Sequence, residues 1–175
     1  MKPSVLPFAA LALTSAPALA QEASGTITGT LDLAERSWSV SGADAAQPSS
    51  WSEAGDTLSV TISATPSAGS TASASQTLIL EFDADASGTA PAAQDLSVTL
   101  KEQGAPAPLT AAPANTDITL TALSVEGTDM VVTGSFVAVL TDGNETELVP
   151  ADADGAVTMD GNFQATIQRR NGDAS

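Results

Sequence analysis

The sequence predicts an all-β protein: a single antiparallel β-sandwich of about seven to nine strands, following an export signal. Three observations carry that reading. Beyond Glu22 the apolar residues recur at every second position, as where Leu58, Val60 and Ile62 alternate with Thr57, Ser59 and Thr61, the period of a strand with one dry face. Thr, Ser and Val fill these runs and suit a half-buried pleated surface. Asp, Gly, Pro and Asn gather between them, as at Asp142-Gly143-Asn144 and Asp154-Gly155, and no segment has the 3.6-residue period of an amphipathic helix.

Eight strands are expected, near 24–33, 37–41, 57–65, 76–83, 95–102, 116–126, 129–140 and 156–168. Leu96, Val98 and Leu100 repeat the pattern of Leu58, Val60 and Ile62, a similarity that five half-buried strand residues reach more readily by convergence than by duplication. In 116–126 the apolar phase switches from Ile118 and Leu120 to Leu123 and Val125. A slip of one residue reverses the face of a strand, so a bulge is expected near Ala122. Val157, Met159, Phe163, Ala165 and Ile167 hold one phase across Gly161. Segments 42–55 and 64–75, rich in Ala, Ser, Gly and Pro, are expected to be long loops within one domain.

Residues 1–20 read as a signal peptide: Lys2, a short apolar run from Val5 to Leu13, and the cleavage motif Ala18-Leu19-Ala20. The run is too short, and too broken by Pro7 and Pro17, to span a bilayer. The domain is therefore 21–175, periplasmic or secreted. Without Lys2 it carries four basic residues (Arg36, Lys101, Arg169, Arg170) against 21 acidic ones, 4 − 21 = −17. Nucleic acids and anionic membranes are bound largely through Lys and Arg, so neither is an expected partner. Aromatics are 3% of the chain, too few for the girdles of a membrane-inserted barrel.

The chain has no His, Cys or Tyr. That removes the imidazole base, the Ser-His-Asp triad, the thiolate nucleophile, the disulfide and the ordinary zinc site. No cofactor is expected, and an enzyme is disfavoured. A Ser–Lys dyad needs no His, but Lys101 stands at a strand end beside Glu102 and reads as a solvated charge. Arg36 beside Glu35 reads the same way, and Asn144-Glu145-Thr146 fits a glycosylation acceptor as well as a turn.

Asp83-Ala84-Asp85-Ala86-Ser87-Gly88 copies the opening of a calcium loop and makes Asp83, Asp85 and Ser87 candidate ligands. The twelfth position is Gln94 rather than Glu, with Asp95 one step late, and the flanks are strands; Asp and Gly there also serve as turn formers. Asp152-Ala153-Asp154-Gly155, with Asp160 beyond, is a second partial match. Trp38, Phe82, Phe136 and Phe163 occupy strand positions and belong to the core. Trp51, in a Ser- and Pro-rich stretch, is the one aromatic available to a ligand, unless it folds back as a plug over one end of the core.

Gly134-Ser135-Phe136 and Gly161-Asn162-Phe163, within 116–168, resemble a pattern in small exported bacterial proteins of uncharacterised function, in which two G-x-F strands close a β-sandwich. That resemblance implies a fold and a compartment, and no activity. Together these readings favour a non-enzymatic binding or structural module, foremost one that presents loops or a sheet edge to another envelope or secreted protein. A calcium- or carbohydrate-binding module is the alternative, and a two-carboxylate hydrolase is less favoured. When the chain is expressed with its leader in an exporting bacterium, intact-mass analysis is expected to place the N-terminus at Gln21; retention of residues 1–20 would remove the export reading.

Overall fold

A computed structural model describes residues 24–42, 44–69, 76–85, 90–143 and 147–170. The expected export signal lies outside the described residues. The chain runs through β1 (Ser24–Leu31), β2 (Ala34–Val40), β3 (Ser50–Ala54), β4 (Thr57–Pro66), β5 (Gln76–Asp85), β6 (Ala92–Glu102), β7 (Leu109–Ala111), β8 (Thr116–Glu126), β9 (Asp129–Leu140) and β10 (Val157–Arg169). One 3-10 turn, Pro113–Asn115, precedes β8. The all-β expectation holds, and the eight expected strands form within a few residues of their expected limits. The two that sequence reasoning missed are β3, inside the supposed loop 42–55, and the three-residue β7.

The sandwich does not form. All ten strands belong to one sheet, and five of them close on one another. β2 lies between β1 and β4, β1 pairs with β10, and β3 pairs with both β4 and β10. That ring is a five-stranded barrel. Its closing seam is the one parallel pairing, Gln168 with Ser50 and Arg169 with Trp51. The other strands extend from the ring: β5, β6 and β7 beyond β4, β9 and β8 beyond β10. The two extensions meet where Thr110 of β7 bridges Thr141, just past β9. One continuous core results, with Ile27, Trp38, Ile62, Leu80, Met130 and Ile167 fully buried.

The G-x-F residues explain how so narrow a space is filled. β9 and β10 pair without interruption, with Gly161 opposite Phe136 and Phe163 opposite Gly134. A Cβ on Gly161 would lie 2.9 Å from the Phe136 ring, and one on Gly134 would lie 2.7 Å from the Phe163 ring. Each ring therefore occupies the space that its cross-strand glycine leaves free. Phe163 also reaches Phe82 on β5, with ring centroids 6.0 Å apart, which ties the barrel to one extension. Gly29 continues the row opposite Gly161, and a Cβ there would stand 1.9 Å from the carbonyl oxygen of Asp160.

The expected bulge is present: the β8–β9 register shifts between Leu120 and Ala122. A second shift, between Glu81 and Asp83 in the β5–β6 pair, accompanies Asp95 at φ 56°. β1 and β2 are joined by Asp32 and Leu33, at φ 49° and 64°. Two positive-φ residues make a type I′ hairpin turn, which ordinarily takes Asn-Gly or Asp-Gly. A leucine there is backbone-strained, and this one is 89% exposed.

Two substitutions separate close packing from backbone strain. Gly29→Ala drives a methyl into backbone atoms and is expected to destabilise by at least about 1–3 kcal/mol. Leu33→Gly relieves the turn and is expected to stabilise by about 0.5–1 kcal/mol. Urea unfolding of both variants checks this, and the same sign for the two would contradict the assignment.

Candidate functional site

The register places the connections at two ends. β1, β4, β6 and β9 run toward one end, which we call the upper end; it carries Asp32–Leu33, Ser67–Gly69, the 103–108 loop and the Thr141–Ala156 connection. The lower end carries Gly55–Asp56, Gly127–Thr128 and the facing ends of β5 and β6, whereas the 41–49 segment leaves β2 opposite Ala64 and lies beside Ser63, part-way along β4.

Trp51 seals the lower end and is a correction to its candidacy as a ligand-binding aromatic. It is 2% exposed. Its indole Nε1 donates to the Thr128 carbonyl at 3.0 Å, and the Arg169 guanidinium lies over the ring at 5.1 Å. Arg169 also pairs with Glu53 at 2.9 Å. The Arg170 amide donates to the Trp51 carbonyl at 2.8 Å. The physical reason is the seam: β3 joins β10 at residue 51, so the ring caps the core where the barrel closes. No described aromatic is left on the surface as a sugar platform, since Trp38, Phe82, Phe136 and Phe163 are buried too.

The Asp-rich segment lies at the lower end of β5. Asp83 and Asp85 share one face, with buried Ala84 between them. Asp83 accepts a hydrogen bond from the Ser59 hydroxyl at 2.8 Å and stands opposite Gln94 across the β5–β6 hairpin. Ser87, the third candidate, lies outside the described residues. Among the described residues no group of three acids gathers as a metal site. Asp152 and Asp154 lie in the upper connection, whereas Asp160 is on β10 and takes the Thr30 hydroxyl. Together they form no metal-binding group among the described residues.

At the upper end a groove of about 320 Å3 is lined by Leu100, Glu102, Ala105, Pro106, Ala107, Leu109 and Asp142. Leu100 and Leu109 are cross-strand partners and form its apolar floor. Asp142 is held at the rim by a clamp: Thr110 and Thr141 exchange two backbone bonds of 2.8 and 2.9 Å, and the hydroxyls of both donate to the Gly143 carbonyl. Next to this, the Asn115 side chain fixes the 147–149 backbone through bonds to Glu147 and Val149. Leu33 and Leu148, the most exposed large apolar side chains described, at 89% and 78%, stand at the same end.

Sequence reasoning missed this site. Asp142 was legible only as a turn former, and Glu102 only as a strand-end charge. Their convergence depends on the Thr110–Thr141 bridge, between residues 31 positions apart, which no local pattern announces. Compared with known proteins, the chain matches no protein family, no curated protein and no solved structure. No helix among the described residues is long and apolar enough to cross a membrane.

With Asp83 engaged by Ser59, millimolar calcium is expected to leave the melting temperature of residues 21–175 where matched ionic strength leaves it. A specific site filled at 100 times its dissociation constant would add about 2.7 kcal/mol, and a rise of that size would restore the calcium reading.

Proposed function

We propose that this protein is an exported, non-enzymatic binding module, periplasmic or secreted. Its upper end holds an apolar, positively charged segment of another envelope or secreted protein. The observation that carries this is the upper groove: an apolar floor and walls in which the two carboxylates Glu102 and Asp142 are the only polar side chains among the described lining residues. Such a site favours a cation borne on an aliphatic stem, because apolar surface is buried while the charge meets opposite charge. With no hydroxyl or amide side chain between the two acids, the groove is poorly equipped to orient a sugar or a hydrolytic water. This sets the hydrolase reading below the binding one.

Leu33 supports the same end. An exposed leucine in a strained turn, where glycine would be more stable, is the kind of cost that is retained at interaction sites. Loops on a rigid β framework are also the usual place for recognition. The net charge of −17 after removal of the signal steers cationic partners toward the molecule and nucleic acid away from it.

The test is a fluorescence-anisotropy titration of residues 21–175 with a labelled Leu-Lys-Leu-Lys peptide, beside Leu-Ser-Leu-Ser and Ser-Lys-Ser-Lys. The first is expected to bind at least about tenfold more tightly than either control, a difference of about 1.4 kcal/mol. Glu102→Gln with Asp142→Asn is expected to abolish that preference. Asp83→Asn with Glu126→Gln, which removes equal charge elsewhere, is expected to keep it. Equal loss in both double variants would reduce the effect to net charge and overturn the site.

A further inference from the structure

On the outer face of β4, β5 and β6 lies a second groove, of about 360 Å3, lined by Ala46, Gln47, Pro48, Thr61, Ser63, Ile79, Glu81, Thr99 and Lys101. That volume is at the small end of the range for small-molecule sites. The 41–49 segment is secured beside it through Ser63: the Ser49 hydroxyl donates to the Ser63 carbonyl and accepts from the Ser63 amide, each at 3.0 Å. The Ser41 amide also donates to the Ser63 carbonyl, at 2.7 Å. The groove is thus a built feature of the 41–49 fold.

Two charged side chains share it, Lys101 and Glu81. Lys101 is the sole lysine of the chain beyond the signal. Lys101 and Glu81 line this one groove without pairing to each other. The register explains why. Glu81 stands opposite Ser97 on β6, four residues before Lys101. Four residues of strand rise and one strand spacing separate their Cα atoms by about 14 Å, too far for a direct pair.

Between the two charges lie Ile79 and Thr99, cross-strand partners, with Ser63 opposite Ile79 on the other side. From these positions we infer that the groove binds a small zwitterion, an aliphatic α-amino acid or a molecule of that charge pattern and size. Its carboxylate faces the Lys101 ammonium and its ammonium faces the Glu81 carboxylate. A ligand bearing both charges spans the gap that the two side chains leave open, and each contact is a charge-assisted hydrogen bond. The short aliphatic body rests on Ile79. The hydroxyls of Thr61 and Thr99 and the Gln47 amide supply the remaining donors and acceptors.

The experiment is calorimetric titration of residues 21–175 with L-valine, and with isovalerate and isobutylamine, which keep the aliphatic body and one charge each. Valine is expected to saturate a single site, with both analogues weakened at least about tenfold, one such step for each lost charge-assisted bond. Lys101→Met and Glu81→Gln, both at exposed positions, are each expected to weaken valine by a similar factor. The Glu102→Gln, Asp142→Asn variant is expected to leave it unchanged. Absence of saturable heat with valine, equal binding of the single-charge analogues, or indifference to both groove substitutions would each overturn the inference.

Discussion

The reciprocal fit of two phenylalanines against two glycines is what the barrel depends on. Phe136 covers Gly161 and Phe163 covers Gly134 across one continuous strand pair. A five-stranded ring has little interior, and side chains on every inward position would overfill it. The missing Cβ atoms of Gly161 on β10 and Gly134 on β9 let one phenylalanine ring of each strand approach the other where the barrel meets its extension, and Gly29 extends the same relief to β1. Close packing of this kind leaves no slack for an added methyl. With the rings fixed, Phe163 can touch Phe82 and join ring and extension into one core.

Closure then sets the character of each end. At the lower end a two-residue parallel seam is locked by Trp51, which combines area burial, an indole hydrogen bond and a guanidinium over its face. Two of the four basic residues beyond the signal, Arg169 and Arg170, are engaged there, through Glu53 and Ser50. Arg36 lies on β2 and donates to the Glu35 carbonyl. Lys101 is left as a cation with no internal partner among the described residues. In a chain with 21 acids, an unpaired lysine beside an unpaired glutamate is conspicuous, and the strand register accounts for their separation.

The upper end carries the opposite balance. Its loops are tied down by backbone and Thr hydroxyl bonds, while Leu33, Leu148 and the groove leave apolar surface among carboxylates. Rigid support beneath exposed apolar groups limits the ordering cost of binding, which is the advantage of pre-organisation. The strain at Leu33 runs against folding stability, and placing it at the tip of a single hairpin confines that cost to one turn.

The sequence by itself determined much of this. Alternation named eight strands, the phase switch located the bulge at Ala122, and G-x-F spacing assigned the phenylalanines to the core. These are local properties: a period of two and a steric requirement are written within a dozen residues. The closed barrel, β3 and the grooves were not legible, for a common reason. Ser50–Ala54 has no apolar alternation of its own and becomes a strand only because β4 and β10 flank it. Trp51 looked available because its neighbours are Ser and Pro, and the seam that buries it involves a strand more than a hundred residues away. Glu102 and Asp142 share a groove through the Thr110–Thr141 bridge, and Glu81 and Lys101 share one through the β5–β6 register. Only the tertiary structure decided those, because the free energy that selects a register is that of the whole buried face and not of the residues it happens to bring together.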